Sequence, residues 1–392
     1  MRIAVIGSKG LPPHQGGIEH HCAEIYPRMV GAGHSVDLYA RSSYNDQGRV
    51  QSYQGVKVIT VPSIKLRGVD ALACSGIATL MALQKSYDIV HFHALGPSLF
   101  TPLSKLFSPA KVLTTCHGLD WQRAKWGAFS SRVIKLGEYN AVHYTDRMVV
   151  VSEALQNYFL RKYGMPTTYI ENAPVAYAAS DSEFKYGYEL GIEHGRYMLF
   201  LGRLVPEKRV DLLLEAFQRL QGQGHRWKLV LVGDKSDTGP HSSRLLQIAD
   251  NNPNIIFTGE LQGARLSEVV RGAGLFVLPS DIEGLPLALL EAMQEKIPCV
   301  VSDIPVHQQM IGTDRGLTFK AGQVQDLQRQ LQWALSNPRQ MEKMAYNAMR
   351  YVRLHHNWDH IADKYINLYE SLLEKKSTAP QRVAIQLGSK VP

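Results

Sequence analysis

Short apolar runs alternate along the chain with longer segments whose apolar residues recur every three or four positions. In the first half, the short runs predict strands at Ile3–Gly7, Val36–Ala40, Val56–Val61, Ile89–His93, Val112–Cys116, Met148–Ser152 and Thr168–Ile170. Helical spacing fills most of the gaps, at Ile18–Ala32, Asp70–Lys85 and Ser130–Val142. Strands alternating with helices predict parallel βαβ units. The pattern then pauses over a stretch holding Pro174, a run of small residues, Gly187, Gly191 and Gly195. It resumes with strands at Met198–Gly202, Leu229–Gly233, Ile255–Thr258, Leu275–Pro279 and Cys299–Ser302.

Two consecutive doubly wound α/β domains follow from this pattern. The boundaries are 1–175 for the first domain, 176–196 for a linker and 197–355 for the second domain. Apolar residues at helical spacing over Arg339–Leu354 and Trp358–Lys375 predict C-terminal helices, the last spanning 356–376. Residues 377–392 show no period and are expected to be loose.

Composition narrows the class. A chain of 392 residues, 45% hydrophobic and 20% charged, is globular and long enough for two domains. Lysine plus arginine minus aspartate plus glutamate is 43 − 35 = +8, a balance compatible with phosphate, nucleic-acid or anionic-surface binding. Cys22, Cys74, Cys116 and Cys299 are too dispersed for a zinc knuckle or a disulfide scaffold. The N-terminal apolar run is too short for a signal-peptide core, and no run reaches the ~20 apolar residues of a membrane span. A cytoplasmic protein is expected, with peripheral contact at the inner membrane face left open.

Candidate chemistry clusters where strands end, the edge at which open parallel sheets bind ligands. After the first strand, Gly16 and Gly17 precede a helix whose N–H groups can meet an anion, or else form an ordinary turn. His91, His93 and His117 also fall at strand ends. On an alternating pleat His91 and His93 are expected on opposite faces, with at most one toward a cleft. His117, followed by Gly118, is the favoured member. In the second half, Arg203 and Lys208 sit in the loop beyond a strand and before a helix. Together they can hold a diphosphate without a metal, or form a solvated basic turn. The segment Glu283-Gly284-Leu285-Pro286 leads into a helix carrying Glu291 within an apolar stretch. Glu283 can accept hydrogen bonds from sugar hydroxyls and Glu291 from a diol, or Glu291 is a half-exposed helix residue.

Phe200-Leu-Gly-Arg-Leu-Val-Pro-Glu-Lys208 and Glu283-Gly-Leu-Pro…Glu291, the latter matching a Glu-x7-Glu motif, resemble retaining glycosyltransferases of family 4. The resemblance runs over about residues 1–375. Gly16-Gly17-Ile-Glu, the segment His117–Trp126 and Lys135-Leu-Gly-Glu further resemble a rhamnosyltransferase-like subgroup. The resemblance implies the GT-B arrangement: two Rossmann-like domains facing across a cleft, acceptor side first and nucleotide-sugar side second, with the last helix packing back on the first domain.

The resemblance also implies roles. Arg203 and Lys208 would bind the donor diphosphate, and Glu291 the ribose. Glu283, with the backbone of Gly284 and Leu285, would hold the donor sugar. Thr258-Gly-Glu260-Leu261 would contact the base. Gly17 would approach the phosphates, and His117 would line the sugar and acceptor pocket. Catalytic weight falls on Arg203, Lys208, Glu283 and His117, with no covalent nucleophile. Many members carry Asn-Gly where this chain reads Asn172-Ala173, which leaves Asn172 without an assigned role.

The expected activity is sugar transfer from a nucleotide diphosphosugar to a glycan or lipid-linked saccharide, with that nucleotide sugar as co-substrate and no further cofactor. The chain has no Asp-x-Asp, only Asp181-Ser-Glu and Asp281-Ile-Glu, and no Cys/His ligand cluster is apparent in its spacing, so no metal is expected. A GT-B nucleotide-sugar epimerase or a non-catalytic sugar-nucleotide binder are the alternatives. No nucleic-acid motif is present. Lys65, Arg67, Lys105, Lys111, Arg123, Lys125, Arg132 and Lys135, with Leu66, Phe107, Trp121, Trp126 and Phe129, suit an anionic bilayer or else form a solvated basic face over core aromatics.

Overall fold

The computed structural model describes residues 1–13, 16–45, 50–63, 70–122, 127–233 and 239–374, with the side chains of 239 and 240 excepted. The expected tail 377–392 lies outside these residues.

The first sheet comprises β1 (Arg2–Ile6), β2 (Ser35–Arg41), β3 (Ser52–Tyr53), β4 (Val56–Val61), β5 (Ile89–His93), β6 (Lys111–Cys116), β7 (Arg147–Val150) and β8 (Thr168–Tyr169). Its order is β3-β4-β2-β1-β5-β6-β7-β8, parallel except for the β3–β4 hairpin. The second sheet comprises β9 (Tyr197–Leu201), β10 (Lys228–Val232), β11 (Ile255–Gly259), β12 (Leu275–Leu278), β13 (Cys299–Ser302) and β14 (Leu317–Phe319). Its order is β11-β10-β9-β12-β13-β14, parallel throughout. The strand order reverses between β1 and β5 and between β9 and β12. These are the switch points where doubly wound sheets open a crevice beyond their carboxyl ends, and both sheets are Rossmann-like.

Most strand and helix positions match the sequence expectation to within two residues. The short strands β3 and β14 escaped it, since two or three residues carry no measurable period.

The segment 176–196 is more than a tether. It contains α6 (Lys185–Glu189), and Phe184 and Ile192 are buried in the second core. Gly187 N donates to Glu268 Oε1 at 2.8 Å. The small residues and glycines that suggest a linker also allow close packing.

The helices that matter for the site are α1 (Gly17–Gly31), α7 (Val210–Gln221), α10 (Leu287–Gln294), α13 (Pro338–His355) and α14 (Trp358–Glu374). Helix α13 buries Met341, Ala345, Ala348 and Val352 in the second domain. Asn357 then breaks the helix and caps the next, its Oδ1 accepting from Asp359 N at 2.7 Å and His360 N at 3.3 Å. Trp358, Ile361, Tyr365, Tyr369 and Leu372, spaced three and four apart, make one stripe of α14. That stripe joins Cys22, Ile25, Tyr26 and Met29 of α1 in the first domain's core. The chain thus returns from its second domain to close on its first.

Candidate active site

The loops after β9 and β12 meet at the second switch point. Beyond β9 the chain passes Gly202 and Arg203 into a 3-10 turn, Pro206–Lys208, and then α7. The Lys208 ammonium donates to Glu283 Oε1, and Ser280 Oγ donates to the same oxygen at 2.7 Å. Burial would raise the Glu283 carboxyl, but Lys208, His307 and these hydrogen bonds more than offset it and hold it below its ordinary value. Glu283 therefore stays an anion beside a cation, an acceptor for hydroxyls. Arg209, next in the chain, is engaged differently, donating to Asp281 Oδ2 at 3.0 Å and Asp211 Oδ1 at 3.2 Å.

His307 is a site neighbour the sequence did not indicate. It is buried, its Nδ1 lies 3.0 Å from Ser302 Oγ, and burial lowers it to about 4 despite the nearby Glu283. Its signal was absent because the residue lies in the first turn of a short helix, Pro305–Ile311, outside the segment that carries the two glutamates.

Glu291 lies one turn into α10. Its Oε2 accepts a 2.7 Å hydrogen bond from Tyr177 OH, a residue of the segment 176–196. Burial pushes the carboxyl up to about 7, and the Tyr177 hydrogen bond only partly opposes this. Glu260 and Leu261 follow β11 at the far edge of the same sheet. Leu261 packs partly against the second core, while Glu260 is exposed and accepts from Gln262 Nε2 at 3.0 Å.

The two domains touch through backbone. A Cβ on Gly284 would stand 1.9 Å from His117 O and 3.0 Å from Gly118 Cα, so only glycine admits this approach. A Cβ on Gly17 would stand 3.2 Å from Leu287 Cδ1, so the N-termini of α1 and α10 converge. Leu285 packs on a first-domain cluster that includes Leu119 and Trp121. Gly17, His117, Glu283, Gly284, Leu285 and the Lys208 turn thus share one region. A cavity of about 340 Å³ adjoins it, bounded by Gln122 of the first domain and by Glu207, Arg209 and Asp281 of the second.

His91 and His93 correct the expectation of opposite faces. Their ring centroids are 4.3 Å apart, and both approach Tyr26 OH, at 3.0 Å and 2.5 Å. Residues two apart on a strand share a face, because the pleat repeats every two residues. His93 Nδ1 also lies 3.0 Å from His117 Nε2. His21 of α1 completes the group, its Nδ1 donating to Asn172 Oδ1 at 2.6 Å. Asn172 so acquires a role despite the absent glycine. A histidine cluster, not apparent in sequence spacing, is assembled by folding from residues 21, 93 and 117.

Comparison with known proteins fits this geometry. Residues 15–173 match the family model "Glycosyltransferase Family 4" and residues 188–351 match "Glycosyl transferases group 1". The chain is 24% identical to the D-inositol 3-phosphate glycosyltransferase of Gordonia bronchialis, over 98% of this chain and 92% of that protein. It is 24% identical to the GDP-mannose-dependent alpha-(1-6)-phosphatidylinositol monomannoside mannosyltransferase of Mycobacterium tuberculosis, over 77% and 81%. Sucrose-phosphate synthase from Thermosynechococcus elongatus superposes with a TM-score of 0.82 at 20% identity, over 95% of this chain and 99% of that one. HepE of Anabaena, in complex with UDP-glucose, gives 0.76 at 17%, over 95% and 100%. The structural likenesses show the fold. With the two family models spanning both domains, the chain is a GT-B glycosyltransferase of the family 4 type.

Proposed function

We propose that this protein transfers a hexosyl group from a nucleotide diphosphosugar to a glycan or lipid-linked saccharide in cell-surface polysaccharide synthesis, with retention of anomeric configuration. The observation that carries this reading is the Lys208–Glu283 pair, set where Gly284 meets His117 and Gly118. A sugar held by Glu283 has Lys208 beside it, placed to meet the charge that develops as the anomeric C–O bond breaks. Arg203, in the same loop, adds a second cation. The leaving phosphate oxygen takes the acceptor's proton on the same face, so no covalent nucleophile is required. Glu291 accepts the ribose hydroxyls, and Glu260 and Leu261 lie along the same sheet edge for the base. The rhamnosyltransferase-like subgroup rests on Gly16-Gly17-Ile-Glu, the His117 segment and Lys135-Leu-Gly-Glu, of which Arg123 to Trp126 lie outside the described residues, and it assigns no donor sugar.

The relatives support the substrate classes: one is named for GDP-mannose and phosphatidylinositol monomannoside, and HepE is described with UDP-glucose. The epimerase alternative draws no support from them. A metal-independent mechanism draws on the two cations and on the engagement of Asp281 with Arg209.

A peripheral membrane contact rests on the first domain. Leu106 and Phe107 on α3 (Thr101–Phe107) and Phe129 and Leu136 on α4 (Ala128–Tyr144) are exposed, beside exposed Arg132 and Lys135. Apolar tips among cations suit an anionic bilayer. Three expected members fit less well. Trp121 turns inward, its Nε1 donating to Glu138 Oε2 at 2.6 Å, while Lys105 and Lys111 pair with Asp146 at 2.7 Å and 3.7 Å. Lys65, Leu66, Arg67, Arg123, Lys125 and Trp126 lie outside the described residues. No helix among the described residues is long and apolar enough to cross a membrane.

The test is a donor screen by mass spectrometry with a lipid-extract acceptor. A glycosylated product with matching nucleoside diphosphate supports the reading, and an isomerised donor without transfer overturns it.

A further inference from the structure

We infer that His21, His93 and His117 form a binding site for a divalent transition-metal ion of the zinc class, reached from the cleft through His117, and that filling it inhibits transfer. Among the described residues, these three are the group of histidine, cysteine and acidic side chains that can converge on one ion. One ring nitrogen from each lies within 4.8 Å of the others.

The ring arrangement is that of a three-imidazole site. The centroids are 4.9 Å apart for His21 and His117, 5.3 Å for His93 and His117, and 5.4 Å for His21 and His93. With metal–nitrogen bonds of about 2.05 Å and tetrahedral angles, three imidazole centroids fall about 5 Å apart and their ligating nitrogens about 3.3 Å apart. His93 Nδ1 and His117 Nε2 already stand 3.0 Å apart. Their separation need grow by only a few tenths of an ångström, together with a tautomer change that turns both lone pairs inward.

A second observation points to a ligand. His21 is fully buried and its Nε2 has no hydrogen-bond partner. A buried ring nitrogen left unmatched costs free energy that a metal bond would recover. The opposite nitrogens are already held as metal-bound histidines require. His21 Nδ1 donates to Asn172 Oδ1 at 2.6 Å, and His93 Nε2 faces Tyr26 OH at 2.5 Å. Tyr26 OH is in turn 3.0 Å from His91 Nδ1, and that nitrogen is 2.6 Å from Tyr369 OH on α14. The two buried rings are therefore fixed from behind, with their remaining nitrogens toward His117. His117 is half-buried and supplies the route to the cleft.

All three donors are imidazoles, which suit zinc, cobalt, nickel or copper and not magnesium or manganese. The site thus differs from the carboxylate sites that support a nucleotide diphosphate. Three protein ligands leave a fourth position open. The inhibition rests on the glycosyl-transfer reading, in which His117 lines the sugar pocket, because the ion would hold the His117 ring and stand at the wall of that pocket. The binding does not rest on it.

Cobalt(II) titration of the full chain, followed by visible absorption, tests the site, together with zinc content after dialysis. One equivalent of each metal is expected, with the intense bands of low-coordinate, nitrogen-ligated cobalt, and magnesium should not compete. His21→Gln and His117→Gln should abolish both signals, while His20→Gln, the neighbour outside the cluster, keeps them. Thermal melts establish that each variant is folded, and half-buried His117 provides the decisive variant should a change at buried His21 unfold the chain. Absence of stoichiometric binding, or the same spectrum and stoichiometry in folded His117→Gln, overturns the site. Zinc at saturation should also lower the transfer rate at least tenfold, and binding without inhibition overturns the blocking role. Failure to transfer any sugar, both metal-free and with magnesium or manganese added, would overturn the glycosyl-transfer reading instead, leaving the binding result to stand.

Discussion

Tyr177 and Glu291 are joined by a 2.7 Å hydrogen bond between a segment read in sequence as linker and the first turns of helix α10. The bond orients a carboxylate that burial pushes up to about 7. The state of this one group thus divides the neutral pH range.

Donor affinity is expected to rise with pH through about 7. Below that value Glu291 is largely protonated and accepts poorly. Above it the carboxylate accepts both ribose hydroxyls, so binding near neutrality releases a proton. For the free protein the sign is reversed. A raised folded-state value gives stability at acid pH that is lost as pH rises through about 7. Calorimetry with a nucleotide diphosphosugar in buffers of different ionisation enthalpy reads the proton. Glu291→Gln should weaken binding and flatten its pH dependence with little loss of fold, and an unchanged affinity would leave Glu291 a structural helix residue.

Lys208→Ala and Arg203→Ala should each lower transfer by roughly a hundredfold, about 3 kcal/mol of lost charge stabilisation. Lys208→Ala should also destabilise the free protein, because Glu283 is left in a buried position without its cation. Kinetics and melting curves measured on the same samples separate the two effects. Normal turnover in both variants would place the donor phosphates elsewhere.

Gly284→Ala should raise the donor KM. The added methyl would lie 1.9 Å from His117 O, so the contact between the domains must open. Stability of each core should change little, since Gly284 belongs to neither. A variant with wild-type kinetics would show that this contact is dispensable.

Exhaustive chelation should leave the transfer rate at or above its starting value, as cationic side chains take the place of a hard metal at the phosphates. Loss of activity on chelation, restored by manganese or magnesium, would contradict the mechanism.

The two Rossmann-like sheets were legible because each buried strand is a short apolar run and each covering helix repeats every three or four residues. The Lys208 turn and Glu283 were legible for the same reason, since both follow strands directly. Tyr177, His307 and His21 were not. Each reaches the site through tertiary packing, from a small-residue segment, from the first turn of a short helix, and from a helix face 151 residues away from its partner Asn172. The pair His91 and His93 shows a reading that the pleat itself could have settled, because residues two apart share a face.

The most direct test of the central claim is nuclear magnetic resonance of a single reaction, following the donor's anomeric proton and the product's together with nucleoside diphosphate release. The account predicts one nucleoside diphosphate released per new glycosidic bond, with the donor's anomeric configuration kept and the rate falling roughly a hundredfold in Lys208→Ala. A product of inverted configuration, or an epimerised nucleotide sugar with no bond formed, would contradict it.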